Sequence, residues 1–186
     1  MENMDYNSLK LSLNKVICII FEEYVKKYGI KNICGFALYS DEEAMSLSVS
    51  VNTYKHHKNN VKEDPENKLY YKFNPEEWNE IIENNELDKI NQILQENSLK
   101  IKKKQFAEYR KNIYTLSLEV LNELKSNGLF KDMKNDFVLL FSISDCDLSE
   151  MVIEYNKKYN SNEIVNEYEQ WIKEESEYNE DEDFDE

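Results

Sequence analysis

Glycine and proline are scarce, with 3 and 2 among 186 residues. That shortage excludes collagen-like and glycine-rich low-complexity chains. It also argues against a dinucleotide-binding or P-loop scaffold, whose phosphate-cradling turns are built on glycine. Cysteine numbers 3, scattered at Cys18, Cys34 and Cys146 with no C-x-x-C pair, which is neither a disulfide framework nor a zinc ribbon. Histidine is limited to the neighbours His56 and His57, whose spacing is not the i, i+4 arrangement of a helical metal site. Bases are outnumbered 23 to 38, for a formal charge of −15. A protein that grips nucleic acid without regard to sequence needs the opposite balance, because it works by displacing counterions from phosphates. The apolar stretch at 16–21 falls far short of the ~20 residues that cross a bilayer. The N-terminus, Met-Glu-Asn-Met-Asp, lacks the basic start of a signal peptide. These features lead us to expect a cytoplasmic chain with reduced thiols, no cofactor, and neither nucleic acid nor membrane as a partner.

What the chain does have is aromatic residues, 12% of the total. They supply buried area to a sequence whose mean hydropathy is only −0.78. Leu9, Leu13, Val16, Ile17, Ile20, Phe21, Tyr24 and Tyr28 recur at steps of three and four. They predict a first helix over 5–28, closed by Gly29. Residues 33–39 read as a strand. Met45, Leu47, Val49 and Val51 alternate with Ser46, Ser48 and Ser50, the period of a half-buried strand with one serine face. The polar link 40–43 makes the two a hairpin. The polar segment 53–68 reads as a loop, and 69–73 as a short aromatic strand. Asn74-Pro75-Glu76-Glu77 has the chemistry of a helix start, predicting a helix that carries Trp78, Ile81 and Ile82. Further helices are expected at 86–96 and 101–125. The uninterrupted apolar run 137–141 reads as a central strand covered on both faces. Two closing helices follow at 148–159 and 163–175.

Charge is uneven along the chain. Residues 163–186 hold twelve carboxylates and one base, Lys173, so they account for −11 of the −15. Mutual repulsion predicts a disordered tail over 177–186, either a solubilising appendage or an arm that meets a basic partner. Lys100, Lys102, Lys103 and Lys104 form a smaller basic cluster, read as a solvated helix start, with contact to the tail as the other reading.

Candidate chemistry is thin. Asp145-Cys146-Asp147 follows the most apolar strand, a place where carboxylates hold Mg²⁺ in other folds. Asp147 and Glu150 equally form the D-x-x-E pattern of a helix cap, and a partner-facing acidic turn is the third reading. Cys146 sits between two carboxylates that disfavour its thiolate. Cys18 and Cys34 read as small core residues. His56 and His57 read as loop residues. No G-x-S-x-G elbow is present. Tyr70, Tyr71, Phe73 and Trp78 cluster around Asn74-Pro75, either as core packing or as aromatic anchors of an interface.

Several segments taken in order carry a resemblance. They are Cys34-Gly35-Phe36-Ala37-Leu38-Tyr39-Ser40-Asp41-Glu42, the serine strand 46–52, Tyr70-Tyr71-Lys72-Phe73-Asn74-Pro75-Glu76-Glu77-Trp78, and Leu139-Leu140-Phe141-Ser142-Ile143-Ser144-Asp145-Cys146-Asp147. Together these resemble the uncharacterised bacterial family called domain of unknown function 4303, over most of the chain from the first helix to about Tyr159. The resemblance transfers no catalytic residues. Similar genes sit among toxin-immunity genes, so it implies toxin neutralisation.

The expected fold is α+β, a small, mostly antiparallel sheet of about four strands packed by several helices. The domain spans 1–160, followed by a C-terminal helix at 161–176 and the acidic tail at 177–186. The expected function is non-catalytic binding by an immunity-type inhibitor that occludes a basic bacterial toxin or nuclease. Its contacts would be Tyr70, Tyr71, Trp78, Asp145, Asp147, Glu180, Asp181, Glu182 and Asp183. A phage or mobile-element inhibitor of a nucleic-acid-guided nuclease would use the same surface. A metal-dependent hydrolase built on Asp145 and Asp147, with Asp41 or Glu42 converging, is the enzyme reading.

Overall fold

The structure, a computed structural model, describes residues 4–81, 84–144 and 150–182, with the backbone alone at 80–81 and 176–182. The first helix, α1 (Tyr6–Tyr28), starts where the sequence places it. The Asp5 carboxylate accepts from the backbone N–H of Asn7 and Ser8, both at 3.1 Å. The Ser8 hydroxyl donates to the same carboxylate, and these bonds hold the Asp5 carboxyl below its ordinary range. Gly29, at φ +79°, takes the left-handed conformation that ends the helix. The predicted apolar stripe from Leu9 to Tyr24 is buried.

Two strands follow as a hairpin. β1 (Ile33–Ser40) and β2 (Leu47–Thr53) run antiparallel, with Phe36 opposite Val51 and Leu38 opposite Val49. The turn is built by Asp41, whose carboxylate accepts from the N–H of Glu43 and Met45, each at 2.9 Å.

The next stretch departs from the sequence reading. Residues 54–63 are helical as α2 (Tyr54–Glu63), capped by the Thr53 hydroxyl, and no residue of α2 is fully buried. Its polarity therefore hides a surface helix. The expected strand at 69–73 is also a helix, α3 (Lys68–Phe73). Leu69 and Phe73 pack into one cluster, and a spacing of four suits either period, so periodicity alone could not choose between them. Asn74 does cap a turn, accepting from Glu76 N–H at 3.1 Å, but the helix it starts is a single 3-10 turn, Pro75–Glu77. Trp78 is already extended, and a two-residue strand, β3 (Glu80–Ile81), replaces the expected helix; Ile82 lies outside the described residues. Three elements come next. They are α4 (Asn85–Ser98), then α5 (Phe106–Ser126) after a 3-10 turn at Lys103–Gln105, then β4 (Val138–Ile143). The chain closes with α6 (Glu150–Tyr159) and α7 (Asn162–Glu182). The α7 backbone thus stays helical through Glu182, past the point where a disordered tail was expected, and 183–186 lie outside the described residues.

The fold is α+β around a mixed sheet in the order β3-β2-β1-β4. Three strands are full length, and β3 is a two-residue edge. Two of the three pairings are antiparallel, but β4, expected as a central strand, pairs parallel to β1 and forms the other edge. Its apolarity has the expected cause, for both its faces are covered. Leu139 and Phe141 join α1 and α5 in the main core, while Val138 and Leu140 join α3 and α7 in a second, smaller one. The serine face of β2 is likewise covered, with Ser50 and Asn52 buried and the Ser50 hydroxyl donating to Pro75 O at 2.8 Å.

Side-chain amides close the strand edges. On α6, Asn156 exchanges hydrogen bonds with both backbone groups of Phe141, each at 2.9 Å, and Asn160, just past that helix, does the same to Leu139 at 2.9 and 2.8 Å. On α4, Asn91 pairs with both groups of Leu47, at 2.8 and 3.0 Å. Polar groups that would template another strand are thereby satisfied within the chain.

Candidate protein-docking face

The second sheet face points Gly35, Ala37 and Tyr39 of β1 toward the layer made by α3, Pro75–Glu77 and α7. Trp78 fills the middle of that layer. It is 5% exposed, and a β-carbon at Gly35 would stand 2.9 Å from its ring. Trp78 is therefore a core residue in this fold and not a surface anchor.

Around this plug the surface repeats one motif, a phenol donating to a carboxylate. Tyr39 OH reaches Glu76 at 3.0 Å, Tyr70 OH reaches Glu77 at 3.2 Å and Tyr71 OH reaches Asp64 at 3.1 Å. Tyr70 and Tyr71 are neighbours on α3, half-buried, with rings edge to face at 5.6 Å. Asp64 also accepts from Asn67 at 2.8 Å, and that bond, with the Tyr71 bond, draws its carboxyl below the usual range. Burial raises the Tyr70 phenol, and the negative charges of Glu77 and Glu175 push in the same direction. Glu175 belongs to α7, the helix that packs against α3. The path of α7 is set by Tyr168 and Trp171 against Phe73, with ring centroids 5.4 and 5.9 Å away, and by the Lys72–Glu167 ion pair.

The structure thus unites Tyr70 and Tyr71 with the α7 arm, two regions that are far apart in sequence. Glu180, Asp181 and Glu182 fall on the last turn of α7, while Asp183, Asp145, Cys146 and Asp147 lie outside the described residues. Tyr39, Asp64, Glu76 and Glu77 complete the face and were missed as site residues. Glu76 and Glu77 read only as helix-dipole partners. Period-two alternation puts Tyr39 on the face of Ala37, a signal the sequence does hold.

The other candidate groups have structural work. Asp41 is occupied by its own turn, with the Ser46 hydroxyl as a further donor, and Glu42 pairs with Arg110 at 3.5 Å. Among the described residues, no three His, Cys, Asp or Glu side chains are grouped to hold a metal ion. His56 Nε2 lies 2.9 Å from Glu77 O, and burial, with Lys72 nearby, keeps the His57 imidazole below its ordinary value. Cys34 is buried, its thiol pushed up to about 12 by desolvation. Burial also raises the thiol of half-buried Cys18. Neither is a ready nucleophile. No helix among the described residues is long and apolar enough to cross a membrane.

Set against known proteins, residues 13–161 match the sequence model of a family described as Domain of unknown function (DUF4303). No curated protein and no solved structure matches the chain.

Proposed function

The chain belongs to the family of domain of unknown function 4303, and from that premise we propose that it is a non-catalytic binding protein of the immunity type. It neutralises a bacterial toxin or nuclease by covering the partner's basic surface. The observation that carries this reading is the set of phenol-held carboxylates around Tyr70 and Tyr71 on α3, the helix against which the acid-rich α7 packs. Carboxylates already oriented by phenols lose little freedom on binding, and the half-buried rings beside them offer anchor area. Residues 163–186, with twelve acids against one lysine, add a field that steers a basic partner into place. A nucleic-acid-guided nuclease, whose groove is basic for the same reason, is a second occupant of the same kind.

The test uses the basic protein captured by the tagged full chain from its native host, followed by association kinetics. Deleting 177–186 removes seven carboxylates and should slow association by about tenfold at low salt and flatten its salt dependence. Replacing Tyr70 and Tyr71 by alanine together should act mainly on dissociation. An association rate indifferent to the deletion, with dissociation indifferent to the tyrosines, removes this face from the mechanism.

A further inference from the structure

On the other side of the sheet, α1, α4 and the start of α5 leave an open groove of about 1180 Å³ between them. Its floor includes Val16, Ile90, Ile93 and Ile101. Ile93 remains 45% exposed, and Leu99 beside the groove is 81% exposed. The charged lining is mixed, Lys89 and Lys100 with Asp5, Glu86 and Glu108. After Lys100, Lys102, Lys103 and Lys104 follow in the connection to α5. All four lysines are exposed, and none pairs with a carboxylate among the described residues. Lys10, Lys72, Lys89 and Lys157, by contrast, are all in ion pairs. Of the carboxylates lining the groove, Asp5 caps α1 and Glu86 pairs with Lys89, leaving Glu108. A groove with isoleucines on its floor, with Lys100 on its lining and three more exposed lysines following in the chain, suits an acidic segment with apolar anchors.

The chain itself ends in such a segment. Residues 177–186 read Glu-Tyr-Asn-Glu-Asp-Glu-Asp-Phe-Asp-Glu, seven carboxylates around Tyr178 and Phe184. From the opposing charges and the matching apolar content, we infer that the groove receives the C-terminal end of a second copy of this chain. The second copy is favoured over the chain's own end by reach. α7 packs on α3 on the far side of the sheet and stays helical to Glu182, and the anchor Phe184, two residues further on, stays within ~7 Å of that point. Exchange of ends between two copies closes on a two-fold axis, so association stops at a dimer. The same end cannot serve the groove and a basic partner at once, so partner binding dissociates the dimer. The inference itself stands apart from the proposed function, because it concerns the opposite helical layer and its test needs no other protein.

The experiment is sedimentation velocity of the full chain over concentration and salt, paired with anisotropy of a fluorescein-labelled synthetic peptide of residues 174–186 titrated with the full chain. The expected result is a dimer at low salt that dissociates as salt rises, with saturable peptide binding that displaces the dimer. The joint change Lys100→Glu, Lys102→Glu, Lys103→Glu and Lys104→Glu alters only exposed side chains. It should leave the circular dichroism intact, weaken peptide binding by about tenfold or more, and shift the chain to monomer. A peptide with Tyr178→Ser and Phe184→Ser keeps the charge and should lose most of its affinity; equal binding by it overturns the groove as the seat. A chain that is monomeric at every concentration yet binds the peptide assigns the groove to an acidic segment of another protein, and overturns the second copy. Monomer without peptide binding overturns the inference entirely.

Discussion

Gly35 matters because of a residue 43 positions away. The Trp78 ring lies over its α-carbon, where a β-carbon would stand 2.9 Å from the ring. Gly35→Ala should therefore cost about 1–3 kcal/mol, the scale of overpacking a filled core. A lower urea midpoint at unchanged slope is the expected reading. Because the clash is with the outer edge of the indole, Trp78→Phe in the same chain should recover part of the loss, an interaction energy of about 0.5–3 kcal/mol in a double-mutant cycle. Strictly additive losses would show that the two residues do not share the space. Legibility in the sequence divides along the same line. Gly29 as a helix stop was readable because stop chemistry is local. Gly35 could be read only as a glycine inside a strand, since nothing near it announces what approaches. Trp78 could be read as core or as a surface anchor for the converse reason, because aromatic density does not say which way a ring points.

At the level of elements, the strands and long helices were legible wherever burial was one-sided, as the α1 stripe shows. They were misread where burial was two-sided or absent. β4 looked central because its run of apolar residues reports covered faces, whereas its place in the sheet depends on hydrogen-bond neighbours. Its free edge is satisfied by Asn156 of α6 and by Asn160 just past that helix. Asn156 is 1% exposed, and its amide also donates to Tyr168 OH at 2.8 Å. Asn156→Ala leaves the N–H and C=O of Phe141 buried without partners, a penalty of about 2–6 kcal/mol at roughly 1–3 kcal/mol per stranded group. Asn160→Ala should cost less, since Asn160 is only half-buried. Chemical denaturation ranks the two, and amide exchange localises the effect, with faster exchange at Phe141 in the first variant and at Leu139 in the second. Equal, small losses with unchanged exchange would mean that solvent takes over the edge and the asparagines do not seal it.

For the molecule as a whole, the end of the recognisable family sequence and the end of the fold do not coincide. The family match stops at residue 161, and the sequence reading likewise closed the domain near 160. Yet α7 begins at Asn162 and sends Ile164 and Tyr168 into the second core, with Trp171 and Ile172 packed against it. Those side chains cover Ala37, Phe73, Val138 and Leu140. The boundary was hidden because twelve acids in 163–186 dominate the composition and mask the apolar residues at spacings of three and four among them. The acidic character of the candidate face was legible for the same reason. Its assembly from β1, α3 and α7 was not, since it depends on how the helices pack. Two truncations separate the roles of this segment. A chain ending at 176 keeps all four α7 contacts, so its unfolding free energy as a monomer should lie within about 0.5 kcal/mol of the full chain, as for changes away from packed features. A chain ending at 160 uncovers the apolar face of β1 and β4 and loses the Tyr168 partner of Asn156. It should lose cooperative thermal unfolding by circular dichroism and bind a hydrophobic dye. If the shorter chain melts as sharply as the full one, α7 is an appendage after all and the second core is dispensable. If the longer truncation also unfolds, residues beyond 176 hold structure that the charge pattern conceals.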